Sequence, residues 1–154
     1  TALNQAGIPS SVTDDSGKDL WAKMLYNCPL NALGAILQVP YGHLGESENS
    51  RALMERIIEE VFQVMLGMGY SSHWQNAKNY LQDFYGQLLP STYEHESSMF
   101  QDIREGRKTE IEALNGVIVR EGRKLCLDIS CNETVRDQIL FLQSKPIKSA
   151  KRGF

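Results

Sequence analysis

Apolar residues recur along this chain at the period of a helix. Leu53, Ile57, Ile58, Val61, Phe62, Met65 and Met68 follow the i, i+3, i+4 rhythm, which predicts a long, well-buried helix. It is expected to stop at Gly67 and Gly69, with Met65 and Met68 as core filling. Trp74, Ala77, Leu81, Phe84 and Leu88 form a second stripe, ending before Pro90. An earlier helix runs through KDLWAKMLYNCPLNALGAIL. Asp15 or Ser16 is its expected cap, and Asp19 stands in capping-box register with Ser16. Pro29 inside it removes a backbone donor and predicts a kink between Leu25 and Pro29. Residues 39–47, VPYGHLGES, read as a loop.

The second half is more polar. Ser98 with Gln101 predicts a capping box for a short helix that stops near Gly106. Thr109 with Glu112 predicts another, opening a helix with Ile111, Leu114, Ile118 and Leu125 on its inner side. LCLDIS reads as an extended connector rather than a strand. Asn132, or Glu133 with Thr134, should start a last helix that turns Val135, Ile139 and Leu142 inward. No convincing run alternates at period two. The predicted class is all-α, a multi-helix bundle. Residues 1–15 read as a lead-in, 16–143 as the helical domain, and 144–154 as a basic tail that should fray.

Composition narrows the function classes. The 154 residues are 42% hydrophobic and 23% charged, which fits one globular domain with a real core. A net charge of −3 provides no basic field to hold nucleic acid. Cys28, Cys126 and Cys131 form no C-x-x-C pair, which argues for reduced thiols and a cytoplasmic protein. His43, His73 and His95 lack ligand spacing, so no metal is expected. No apolar run approaches the ~18–20 residues of a membrane span. The chain opens at Thr1 without an initiator Met, as a fragment or a processed product would.

Candidate chemistry is confined to a few positions. Lys23, Asn27 and Asn31 are spaced i, i+4, i+8 and fall within an arc of about 80° on one helix face. They read either as a solvated stripe or as a ligand-facing row, since two asparagines flanking a proline are a costly way to build an exposed face. Glu110, just inside the helix start expected at Thr109, is either a dipole-stabilising carboxylate or free to face a ligand. Ser98 either caps a helix or presents its hydroxyl to an anion. G-x-G-x-x-G occurs nowhere, so no phosphate loop is present.

Two segments together, LWAKMLYNCPLNALGAI and SSMFQDIREGRKTEIEALNG, resemble the signatures of the ketopantoate reductase C-terminal domain, a fold shared with 6-phosphogluconate dehydrogenase-like proteins. K-x-x-x-N-x-x-x-N matches at Lys23, Asn27 and Asn31. S-S-M-x-Q-D-I matches at 97–103 and T-E-I-E-x-L-N-G at 109–116. The resemblance implies an NADPH-dependent 2-oxo acid reductase that turns 2-dehydropantoate (ketopantoate) into pantoate on the route to coenzyme A. It assigns Lys23 and Glu110 as catalytic, and Asn27, Asn31 and Ser98 as substrate-binding. NADP(H) would be held by an N-terminal Rossmann domain of the same parent chain, so this half should neither bind it nor react alone. A homodimer is compatible with the family; a nucleic acid or membrane partner is not expected. The resemblance leaves two alternatives, a paralogue that reduces another 2-oxo acid and a non-catalytic helical dimerisation module. The chain departs from the family pattern at three places, one of them Pro29 between the two amides, where a kink would rotate Asn31 off the face. Tyr41 stands where an Asn-Gly pair often supplies a substrate-side amide, and Cys131 stands where proline usually precedes Asn132.

Overall fold

The computed structural model describes residues 15–145, and every regular element among them is helical. The all-α expectation holds. The lead-in through residue 14 and the tail beyond residue 145 lie outside the described residues.

Helix α1 (Asp15–Leu37) is the central element and packs most extensively against α3 (Glu48–Gly67), α6 (Ser98–Arg104) and α8 (Ser130–Ser144). Its stretch from Cys28 to Ala35 is buried at every residue. Surrounded by neighbours, it needs no polar face, so its apolar pattern carries little one-sided period. The helix continues unbroken through Pro29. It ends where Gln38 takes a left-handed conformation (φ 56°) and the Val39 N–H reaches back to the Gly34 carbonyl, a closure that usually employs glycine.

Helix α3 obeys its stripe. Met54, Ile57, Ile58, Val61, Val64 and Met65 are buried, and Gly69 (φ 81°) closes the end. Met68 departs from expectation: it caps the helix and is 38% exposed, because the chain is already turning away from the core there.

Several boundaries differ from the sequence reading, each for a tertiary reason. Residues 39–47 are not a loop, since Tyr41–Glu46 form helix α2. Its first-turn donors find partners far along the chain, Tyr41 N–H on the His95 carbonyl and Gly42 N–H on that of Tyr93. A Cβ at Gly42 would sit 2.1 Å from the Tyr93 ring, so only glycine fits. Trp74 precedes α4 (Ala77–Asp83) rather than lying in it. From α4 the helix passes through a π turn, Phe84–Leu88, into α5 (Leu89–Ser91). Pro90 falls within that last turn, near the start of α5, where a missing N–H costs little.

The capping box expected at Thr109 does not form. The Thr109 hydroxyl donates to Gln143 Oε1 at 2.9 Å, and Glu112 binds Arg136 instead. A 3₁₀ turn, Ile111–Ala113, comes first; Leu114 (φ −109°, ψ −100°) breaks it from α7 (Asn115–Lys124). Leu125 caps α7 and is 36% exposed, so it is not an inner residue. The connector after it contains no strand, and α8 begins at Ser130, ahead of the expected Asn132.

A buried polar network ties the helices together. Asn115 donates to the Cys28 carbonyl and to Asn132 Oδ1, while Asn132 donates to Glu60 and to the Ile57 carbonyl. Four helices, α1, α3, α7 and α8, therefore meet at two asparagines and one carboxylate.

Candidate active site

The row on α1 is graded in burial. Lys23 is exposed, Asn27 half-buried and Asn31 only 4% exposed. Neither Lys23 nor Asn27 has a hydrogen bond or ion pair to another described residue. Their polar groups are available to a ligand. Asn31 differs, because its Oδ1 accepts from the Tyr41 hydroxyl at 2.5 Å.

Tyr41 joins α2 to the rest of the site. Its ring packs edge-on against Tyr26 (centroids 6.1 Å apart) and lies 5.0 Å from the His95 ring. Tyr26 in turn hydrogen-bonds Thr92 at 2.5 Å. Burial drives the Tyr41 phenol well above the ordinary tyrosine range, because a phenolate would lose its solvation there. The nearby Tyr26 and Glu110 push it further, against a hydrogen bond from Ser97. Asn31 is the hydrogen-bond partner of the Tyr41 hydroxyl.

The start of α6 corrects the expected cap. Ser97, not Ser98, is the N-cap, and its Oγ accepts from the Phe100 N–H at 3.0 Å. Ser98 is the first helical residue, exposed, with no side-chain hydrogen bond to a described residue. Adjacent serines offered two capping registers, and the capping-box spacing to Gln101 pointed to the wrong one. Glu110 likewise lies outside any α-helix, at the entry to the 3₁₀ turn (φ −88°, ψ 17°), exposed and unused as a cap. It forms no ion pair with Lys23.

The structure therefore joins Asn31 on α1 to Tyr41 on α2. Asn27 and Lys23 follow from Asn31 along α1, and Ser98 begins the helix packed on it. Towards the start of α1, a groove of about 480 Å³ runs between Leu20, Trp21, Met24, Met68, Tyr70 and Val117. Leu20 is 59% exposed and Tyr70 51% exposed at its rim. Sequence reading missed Tyr26, Thr92, Ser97 and His95 as neighbours of the site. The available signal was aromatic and hydroxyl density in YEHESS, residues 93–98.

Residues 15–143 match the family described as ketopantoate reductase PanE/ApbA C terminal. The chain belongs to that family. It is similar to the 2-dehydropantoate 2-reductase of Aquifex aeolicus (strain VF5), 42% identical over 137 residues, which cover 89% of this chain and 44% of that protein. Among solved structures, it resembles a PanE/ApbA family ketopantoate reductase from Ralstonia eutropha JMP134, with a TM-score of 0.77 and 32% identity over 92% of this chain and 46% of the other. A further likeness, to a 2-dehydropantoate 2-reductase from Enterococcus faecalis, has a TM-score of 0.81 at 24% identity, over 92% of this chain and 45% of that one. At that identity it speaks for the fold alone. The chain spans about half the length of these ketopantoate reductases. No helix among the described residues is long and apolar enough to cross a membrane.

Proposed function

We propose that this chain is the C-terminal, substrate-binding and catalytic half of an NADPH-dependent 2-oxo acid reductase whose substrate is 2-dehydropantoate. One observation carries the reading. Lys23, Asn27 and Asn31 lie on a single unbroken helix against which the Ser98 helix packs, in a chain 42% identical to a 2-dehydropantoate 2-reductase.

In our reading the described residues do not hold a dinucleotide by themselves. They form no strand–glycine loop–helix unit, and the start of α8 is already filled by the Glu60 carboxylate, which would repel a pyrophosphate. In our reading the nicotinamide dinucleotide belongs to the remainder of a longer protein and supplies a hydride there. What this chain offers is the charge and hydrogen-bond frame for the acceptor. Hydride addition to a keto carbon places negative charge on its oxygen. The Lys23 ammonium stabilises that charge and then transfers a proton from Nζ to the oxygen as general acid. Asn27 and Asn31 orient the acid, Ser98 donates its hydroxyl to the carboxylate, and Glu110 meets the substrate hydroxyl. The groove at the start of α1, with Leu20 and Tyr70 exposed, is the apolar surface we assign to contact with that nucleotide-binding half. Slower hydrogen exchange around Leu20 in the full-length protein than in this chain would support the contact, and equal rates would refute it.

The deciding experiment is NADPH oxidation by the full-length protein with 2-dehydropantoate. Activity should be present and should vanish in Lys23→Ala. Robust turnover by that variant would overturn the role of Lys23. A second reading, reduction of a different 2-oxo acid, is favoured by Tyr41, which occupies Asn31 where a substrate-side amide would otherwise stand. A panel of branched 2-oxo acids compared by kcat/KM separates the two.

A further inference from the structure

The hydrogen bond between α2 and α1 has a direction: the Tyr41 hydroxyl donates to Asn31 Oδ1 at 2.5 Å. A primary amide has one acceptor end and one donor end. With the acceptor end fixed by Tyr41, the donor end is what remains. The Asn31 amide nitrogen has no partner among the described residues. It is also not one of the enclosed unpartnered atoms, which are Tyr80 Oη and Asn115 Oδ1, so it keeps contact with solvent.

We infer that Tyr41 is a positioning residue that fixes Asn31 as a donor-only contact, so that Asn31 binds the carboxylate or keto oxygen of a 2-oxo acid and accepts nothing from a substrate hydroxyl. The inference rests on the reductase reading. An unfixed amide could turn either end to the ligand and would match a hydroxyl as well as a carboxylate. Tyr41 removes that choice. It is itself held firmly, 3% exposed, between the rings of Tyr26 and His95, with its backbone N–H on the His95 carbonyl.

The test is steady-state kinetics of the full-length protein, comparing wild type, Tyr41→Phe and Asn31→Asp. Two acceptors are used, 2-dehydropantoate and a branched 2-oxo acid without a hydroxyl. Tyr41→Phe keeps the ring contacts and frees the amide. It should raise KM about tenfold for both acids, with kcat changed less than about threefold, the scale of one hydrogen bond to a charged group. Asn31→Asp keeps an acceptor for Tyr41 but faces the anion with a second carboxylate, and should abolish saturation. An unchanged KM in either variant overturns the proposal, as does a rise confined to the hydroxylated acid. If the wild type reduces no 2-oxo acid, the reductase reading fails by itself. Nuclear magnetic resonance of the isotopically labelled 154-residue chain then judges Tyr41 alone. Its Asn31 side-chain amide should give two well-separated proton signals that move together in Tyr41→Phe, and unmoved signals would overturn the positioning role.

Discussion

The Glu60 carboxylate on α3 accepts both the backbone N–H of Asn132, at 2.8 Å, and its side-chain amide, at 2.7 Å. A third donor, the Cys131 N–H, reaches the other oxygen at 2.8 Å. Free donors at the start of α8 are thus capped from another helix, and the carboxylate sits at the positive end of the α8 dipole. Replacing Glu60 with Ala strands these buried donors. The expected loss is about 2–4 kcal/mol of unfolding free energy in urea denaturation. Cys131→Pro removes one donor and leaves both Asn132 bonds, so it should cost less than Glu60→Ala. Equal losses would show that Cys131 carries the cap.

Tyr80 provides an opposite case. It is fully buried among Phe62, Trp74 and Phe84, and its hydroxyl oxygen has no partner among the described residues. Tyr80→Phe removes an unsatisfied polar atom and keeps the ring. Thermal denaturation should find the variant as stable as the wild type or more so, by up to about 1 kcal/mol. A loss above about 1 kcal/mol would mean that the hydroxyl holds a buried water.

Legibility in the sequence followed the range of the interactions. The α3 stripe was readable because one face alone is buried and local spacing encodes that. Helix α2 was not, because its first donors bond to residues 93–95, far along the chain. Lys23, Asn27 and Asn31 were readable as a row, yet the engagement of Asn31 was not. That depends on Tyr41 coming back over α1 after the turn at Gln38. Glu60 carried no sequence signal at all. It looks like any surface glutamate until α8 is laid across it.

The pH response of stability should come first from Cys28. Burial alone holds its thiol far above the ordinary cysteine range. The folded state keeps this proton, while the unfolded chain releases it above roughly pH 8.5. Proton binding is therefore greater in the folded state, so stability falls as pH rises. The contribution is intact below about pH 8.5 and is lost at about 1.4 kcal/mol per pH unit above it. Tyr41, Tyr80 and Tyr85, also raised mainly by burial, add to the fall above about pH 10. Urea denaturation at pH 8, 9 and 10 should show the decline, and Cys28→Ala should flatten it between pH 9 and 10. Cys131, raised by burial and by Glu60, contributes to the residual slope. An unchanged slope in Cys28→Ala would refute the assignment.

Adjacent serines at the start of α6 separate fold from function. Ser97 is 2% exposed and its oxygen holds the Phe100 N–H, so Ser97→Ala should cost about 1 kcal/mol of stability. Ser98 is exposed and bonds to no described side chain or backbone group through its hydroxyl. Ser98→Ala should leave the melting temperature of this chain unchanged. In the full-length protein the same change should raise KM for a 2-oxo acid severalfold, because a hydroxyl donor to the carboxylate is gone. A stable Ser98→Ala variant with wild-type KM would remove Ser98 from the binding site and leave the row on α1 to carry it.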